Sequence, residues 1–280
     1  MLGATLLFSF NYWIAKGLMP APFNPMQIIF FRVSGSLLLY FLLDTLFLRK
    51  KNRAVEKKDL LRLFFAGLFG VALNQILFFS GLNLTTPVDT AIINSTNPLM
   101  VLLISALLSS EKLGVKNIIG ILLGAAGATS LILYGKSESF LAGSINGNLL
   151  IITNTFCWSL YLIVAKPLFA KYHPIQVMKW VFFVGFVVSL PFTFHDLQSL
   201  QIESVSVKAI WSLVYVIVGT TFLAYLFITY GLSNLSPAVV SVYTYAQPAL
   251  VAIIGLVLLN EGLTLNKMIS FMLVFVVIIS

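Results

Sequence analysis

Apolar side chains run through this chain in long unbroken stretches, not in the alternation of a strand or the one-sided stripe of a soluble surface helix. Stretches near the ~20 residues needed to cross a bilayer fall at 2–19, 26–48, 60–82, 87–109, 116–134, 147–165, 175–196, 208–230, 237–259 and 266–280. The pattern predicts an all-α integral membrane protein with ten transmembrane helices. Helix-breaking residues punctuate the short connections: Pro20, Pro22 and Pro25 after the first stretch, Gly135, Gly143 and Gly147 around the fifth connection, Pro167 and Pro174 after the sixth. The first stretch has no basic residue before it and no small-residue cleavage site after it, so it is taken as a span and not as a signal peptide. The last has 15 residues and ends at Ser280 without a polar flank, which suggests a clipped end.

Composition agrees with a lipid-facing exterior. Hydrophobic residues make up 59% of the chain and charged residues 9%, against about 25% charged in an ordinary soluble domain. A net charge of +8 would suggest nucleic acid in a soluble protein, but six of the 17 basic residues lie between Arg49 and Lys58. Such a cluster in a short loop marks the cytoplasmic side. Loop 49–59 is therefore expected inside, with Lys112, Lys116, Lys166, Lys171 and both termini on the same side. Cys157 stands alone, which leaves no disulfide or thiolate metal site.

Sliding the chain against itself by 150 residues superposes Gly81 on Gly231, Pro87 on Pro237, Pro98 on Pro248 and Glu111 on Glu261 without a gap. Ala15-Lys16 falls on Ala165-Lys166 in the same register. The chain reads as two five-span repeats, 1–135 and 147–280. Five is odd, so the second copy must enter the membrane from the opposite side. The charges agree with inversion: the counterpart of the basic loop, His195–Val207, holds two acids and no Lys or Arg. Inverted repeats are a recurrent device of secondary transporters.

Pro98 and Pro248 each lie 11 residues into a span that opens with Thr or Ser followed by Pro. At ~1.5 Å per residue this is about 16 Å, near mid-membrane. An interior proline frees the carbonyl four residues back, here Asn94 or Thr244, and unpaired backbone at that depth must face protein or water. The segments INSTNP and YTYAQP around these prolines make Asn94, Asn97, Tyr243 and Gln247 candidate cavity residues; the plainer alternative is a kink that only shapes the helix. The first and sixth spans add Asn11, Trp13, Trp158 and Tyr161 as candidates, although aromatic residues near span ends also serve as interface anchors. Lys16 and Arg32 are expected to snorkel toward the outer surface. Glu111 and Glu261 suggest a shared structural turn, and GILLGAAG (120–127) close helix packing.

No metal constellation, nucleotide loop, catalytic triad or mid-membrane carboxylate is visible, so neither a cofactor nor an enzyme activity is expected. An integral-membrane enzyme and a channel remain the rival readings. The stretches FSFNYWIAK (8–16), GLNLTTPVDTAIINSTNPLMVLLISALLSSEKLGVKNIIGILLGAAG (81–127) and GLSNLSPAVVSVYTYAQPALVAIIGLVLLNEGL (231–263) resemble the EamA family of the drug/metabolite transporter superfamily. Phe8 stands where that family often has tryptophan. The resemblance implies a ten-helix exporter of amino acids, metabolites or drugs, with a cavity lined by spans one, three, four, six, eight and nine and with spans five and ten peripheral. The expected partners are a small-molecule substrate and the lipid bilayer, without nucleic acid, in the bacterial inner membrane; a homodimer is left open.

Overall fold

The computed structural model describes residues 1–48, 54–108, 144–201, 203 and 205–259. The stretches at 116–134 and 266–280, Glu111, Glu261 and the 120–127 glycines lie outside the described residues. Within them the secondary structure is entirely helical, with no strand. The helices are α1 (Leu2–Leu18), α2 (Pro25–Phe47), α3 (Lys57–Leu84), α4 (Pro87–Leu107), α5 (Ile145–Lys171), α6 (Pro174–Thr193), α7 (Val207–Asn234) and α8 (Pro237–Gly255). The seven from α2 to α8 are long and apolar enough to cross a membrane.

Local chemistry sets where the helices begin. Asn24 and Gln27 form a reciprocal capping box at α2, with both bonds at 2.9 Å. Thr86 accepts from the Asp89 amide at 3.0 Å to open α4, and its counterpart Ser236 accepts from Val239 at 3.3 Å to open α8. Pro87 and Pro237 occupy the first turn in each case, where the missing N–H costs nothing. Large apolar side chains such as Leu46, Phe47, Leu107, Phe192 and Trp211 are exposed on the outside. Buried amides, hydroxyls and one guanidinium occupy the interior.

Regular α geometry fails at matched places. In α4 the helix is interrupted between Asn94 and Asn97, and in α8 it tightens to a 3₁₀ turn over Tyr243–Tyr245. Pro98 and Pro248 cannot donate to the carbonyls of Asn94 and Thr244, which accounts for both breaks. Hydroxyls take up neighbouring carbonyls: Ser95 donates to Ile92 at 2.6 Å, Thr96 to Ile93 at 2.7 Å and Thr244 to Ser241 at 2.7 Å. A π-helical segment interrupts α3 at Leu68–Ala72 and α7 at Tyr215–Leu223, stretches that overlap under the same sequence offset.

Contacts at the ends fix the run of the helices. Asp44, in the last turn of α2, pairs with Lys179 near the start of α6 at 2.5 Å. Asp59 at the start of α3 takes Lys171 at 2.9 Å and the Tyr172 hydroxyl at 2.9 Å from the end of α5. At the other end, Gln27 at the start of α2 donates to the carbonyl of Asp196 at 2.9 Å, just past α6. Helices α2 and α6 therefore run antiparallel, and the segment leading into α3 lies at the opposite end of the bundle from the turn after α6. Close approach is built in where α3 meets α5: a Cβ on Gly70 would stand 2.3 Å from the Tyr161 ring.

Candidate functional site

The interrupted stretches of α4 and α8 both line a central cavity. Its wall takes Phe8, Asn11 and Tyr12 from α1, Arg32 from α2, and Asn74, Gln75 and Phe78 from α3. Asn94 and Asn97 come from α4, Asn154, Thr155 and Trp158 from α5, Tyr225 from α7, and Thr244 and Gln247 from α8. Spacing explains the α1 face, because Phe8, Asn11 and Tyr12 stand at i, i+3 and i+4 and share one side of a helix.

A line of hydrogen bonds crosses the cavity wall. Thr155 donates to Asn94 Oδ1 at 2.7 Å, and Asn94 Nδ2 donates to the Tyr12 hydroxyl at 2.8 Å. Tyr12 in turn donates to Gln247 Oε1 at 2.8 Å, so four helices are joined. Ser159 donates to Asn97 Oδ1 at 2.7 Å and Thr220 to Asn11 Oδ1 at 3.0 Å. Four cavity amides thus have a protein hydroxyl at their oxygens, and three of these hydroxyls, Thr155, Ser159 and Thr220, also reach a backbone carbonyl of their own helix at 2.9, 2.8 and 2.9 Å. Beside them Trp158 lies 5.3 Å from Tyr225 and 6.4 Å from Phe8, ring centre to ring centre.

Two contacts join residues 150 positions apart, Phe8 with Trp158 and Gln75 with Tyr225, the latter by a 2.9 Å hydrogen bond. Lys16 donates to the carbonyls of Leu82 and Asn83 at 2.9 and 2.8 Å. Lys166 donates to Leu232 and Leu235 at 2.8 and 2.9 Å. Each lysine meets the end of a helix, where orphan carbonyls and the negative dipole end favour a cation.

A family model described as the EamA-like transporter family matches residues 1–133 and 145–280. The chain belongs to the EamA-like transporter family. Among its relatives, the uncharacterized transporter YetK of Bacillus subtilis (strain 168) is 30% identical over 210 residues, 74% of this chain and 63% of that protein. Protein WALLS ARE THIN 1 of Arabidopsis thaliana is 25% identical over 264 residues, 81% of this chain and 67% of that one. A solved crystal structure superposes with a TM-score of 0.70 at 21% identity, covering 99% of this chain and 94% of its own; at that identity it speaks for the fold. This member of the EamA family is a multi-pass membrane protein of transporter type.

Of the residues singled out in the sequence, Asn11, Asn94, Asn97, Trp158 and Gln247 line the EamA chain's cavity. Tyr243 lines a smaller adjoining space, which shares Phe8, Asn97, Trp158, Thr244 and Gln247 with the first. Trp13 and Tyr161 are not in the lining. The Trp13 indole donates to the Val251 carbonyl at 2.9 Å and ties α1 to α8, while Tyr161 is fully buried behind Trp158, ring centres 5.0 Å apart.

Arg32 departs most from expectation. It does not snorkel: it is 2% exposed, lines the cavity and lies with its guanidinium carbon 4.6 Å from the centre of the Phe79 ring. Sequence reasoning also passed over Asn74, Gln75 and Tyr225. The available signal was Asn74-Gln75, a pair of amides deep inside the 28-residue α3, since polar residues there face the bundle interior.

Proposed function

We propose that this chain is a secondary carrier that exports or exchanges small organic metabolites such as amino acids, by alternating access between two inverted five-helix repeats, 1–135 and 147–280. The observation that carries the reading is the central cavity, to which both halves contribute matching elements: α1 with α5, α3 with α7, α4 with α8. Substrate sites of inverted-repeat carriers lie at the repeat interface beside broken helices, and the α4 and α8 interruptions stand at such a place. The antiparallel run of α2 and α6 and the contacts between residues one repeat apart support inversion. Asn11, Asn94, Asn97, Trp158, Tyr243 and Gln247 form the proposed site, and Trp13 and Tyr161 support it from behind. The lining residues all come from one chain, so the proposal takes a single chain as the transport unit.

Proteoliposomes loaded with metabolite pools should show saturable flux that is stimulated by substrate on the far side. Unsaturable flux would indicate a channel, and conversion without flux an enzyme. Topology gives an independent check: single cysteines placed in 49–59 and in 195–207 should be labelled by an impermeant reagent from opposite sides, with 49–59 cytoplasmic. Labelling of both from one side would defeat the inverted arrangement.

A further inference from the structure

A buried guanidinium is tolerated when its charge and donors are met, because an ion taken out of water without partners costs several kcal/mol. Arg32 is buried, yet Nε and Nη1 have no hydrogen-bond partner, and Nδ2 of Asn97, a lining residue on α4 that is 1% exposed, has none either. The Phe79 ring covers the face of the guanidinium, an arrangement that leaves the N–H edge free. Among the described residues no ion pair involves Arg32: Asp44 pairs with Lys179, Asp59 with Lys171 and Arg62, Glu56 with Lys58 and Asp196 with His195, while Asp89 stands at the cap of α4 beside Thr85. Four of the cavity amides, Asn11, Asn94, Asn97 and Gln247, have hydroxyls at their oxygens, as described above. The space therefore presents one positive charge and several N–H groups, with no acid among its lining residues.

We infer that Arg32 is the anion-recognising residue of the site, and that the substrate is a small organic acid whose carboxylate meets the Arg32 edge while its apolar body lies against Phe8, Phe78 and Trp158. A guanidinium edge matches the two oxygens of a carboxylate. A single cation balances a monoanion, whereas a phosphate dianion would leave net negative charge buried. This assignment rests on the carrier reading, and it makes binding selective for charge at one end and aromatic or aliphatic surface at the other. The second repeat has Phe182 at the position equivalent to Arg32, so the cavity has one such anchor and the substrate a single orientation.

The test uses purified protein in detergent, read by tryptophan fluorescence and by thermal unfolding, with phenylacetate, its neutral isostere phenylacetamide, acetate and inorganic phosphate as probes. Phenylacetate should bind saturably and raise the unfolding temperature, acetate more weakly, phenylacetamide and phosphate not at all. Arg32→Gln should weaken phenylacetate about 10- to 100-fold, the range of charged hydrogen bonds, and Arg32→Lys, with charge but no fork, should weaken it less. The inference is overturned if acid and amide act alike or neither acts on the wild type, if phosphate acts in place of the acids, or if phenylacetate binding survives Arg32→Gln. Should Arg32→Gln not fold, Arg32→Lys decides: wild-type affinity would refute the fork. Exchange of labelled phenylacetate in proteoliposomes separates the two levels. Arg32-dependent binding without exchange would sink the carrier reading alone, and saturable exchange indifferent to Arg32 would sink the anion site alone.

Discussion

Truncating Asn97 or Gln247 to alanine should lower apparent substrate affinity about 5- to 150-fold, because each removes a ligand hydrogen bond worth about 1–3 kcal/mol in a desolvated site. Folding should suffer far less. Polar contacts between membrane helices average only ~0.6 kcal/mol, and the protein bonds at stake are one from Ser159 to Asn97 and one from Tyr12 to Gln247. The check is initial flux against substrate concentration in proteoliposomes, with monodisperse protein yield measured alongside. Normal transport by both variants at normal yield, or activity lost only in step with the protein itself, would return the paired prolines to a purely shape-giving role.

How far the site was legible follows from what periodicity can and cannot see. Proline at the same offset in two spans, each flanked by amides or aromatics, pointed to the interrupted turns, and the structure places Asn94, Asn97 and Gln247 on the cavity wall beside them. The reason is general, since a freed carbonyl at mid-membrane must find polar company. Facing was harder. Asn11, Tyr12 and Trp13 are adjacent in sequence and so point about 100° apart around the helix, which sends two to the cavity and the Trp13 indole to the Val251 carbonyl. Phe8 extends the cavity face by one turn, and that stripe, applied to α1, would have separated Tyr12 from Trp13.

Arg32 was illegible for a different reason. A lone arginine seven residues into a span satisfies the rule for snorkelling as well as the rule for an interior functional charge. Depth alone does not choose between them. The choice depends on which helices pack around α2, a tertiary fact: Gly35, one turn on, lets α7 come so close that a Cβ there would stand 2.8 Å from Ile217. The family resemblance was broader and easier to see than the site, because long gapless similarity accumulates over many positions, whereas the cavity lining turns on the orientation of a few side chains.

Tyr12→Phe should separate positioning from contact. Its hydroxyl accepts from Asn94 Nδ2 and donates to Gln247 Oε1, both at 2.8 Å, so its removal leaves a buried Gln247 atom and a part-buried Asn94 atom without that partner in a wall shared by α1, α4 and α8. From ~0.6 kcal/mol per bond on average in membranes, and up to ~1.7, the loss of stability should be about 1–3 kcal/mol, visible as a lower unfolding temperature in detergent. With its oxygen no longer held, the Gln247 amide can turn, and substrate affinity should drop even though the ring that remains still fills the same volume. A double-mutant cycle with Gln247→Ala reads the coupling. If Tyr12 acts by orienting Gln247, the two losses of affinity should be non-additive by ~0.5–3 kcal/mol, the range for residues in one hydrogen-bond network. Strict additivity would mean that Tyr12 meets the substrate by itself, and unchanged affinity and stability in the single variant would mean that the line of bonds from Thr155 to Gln247 has no part in transport.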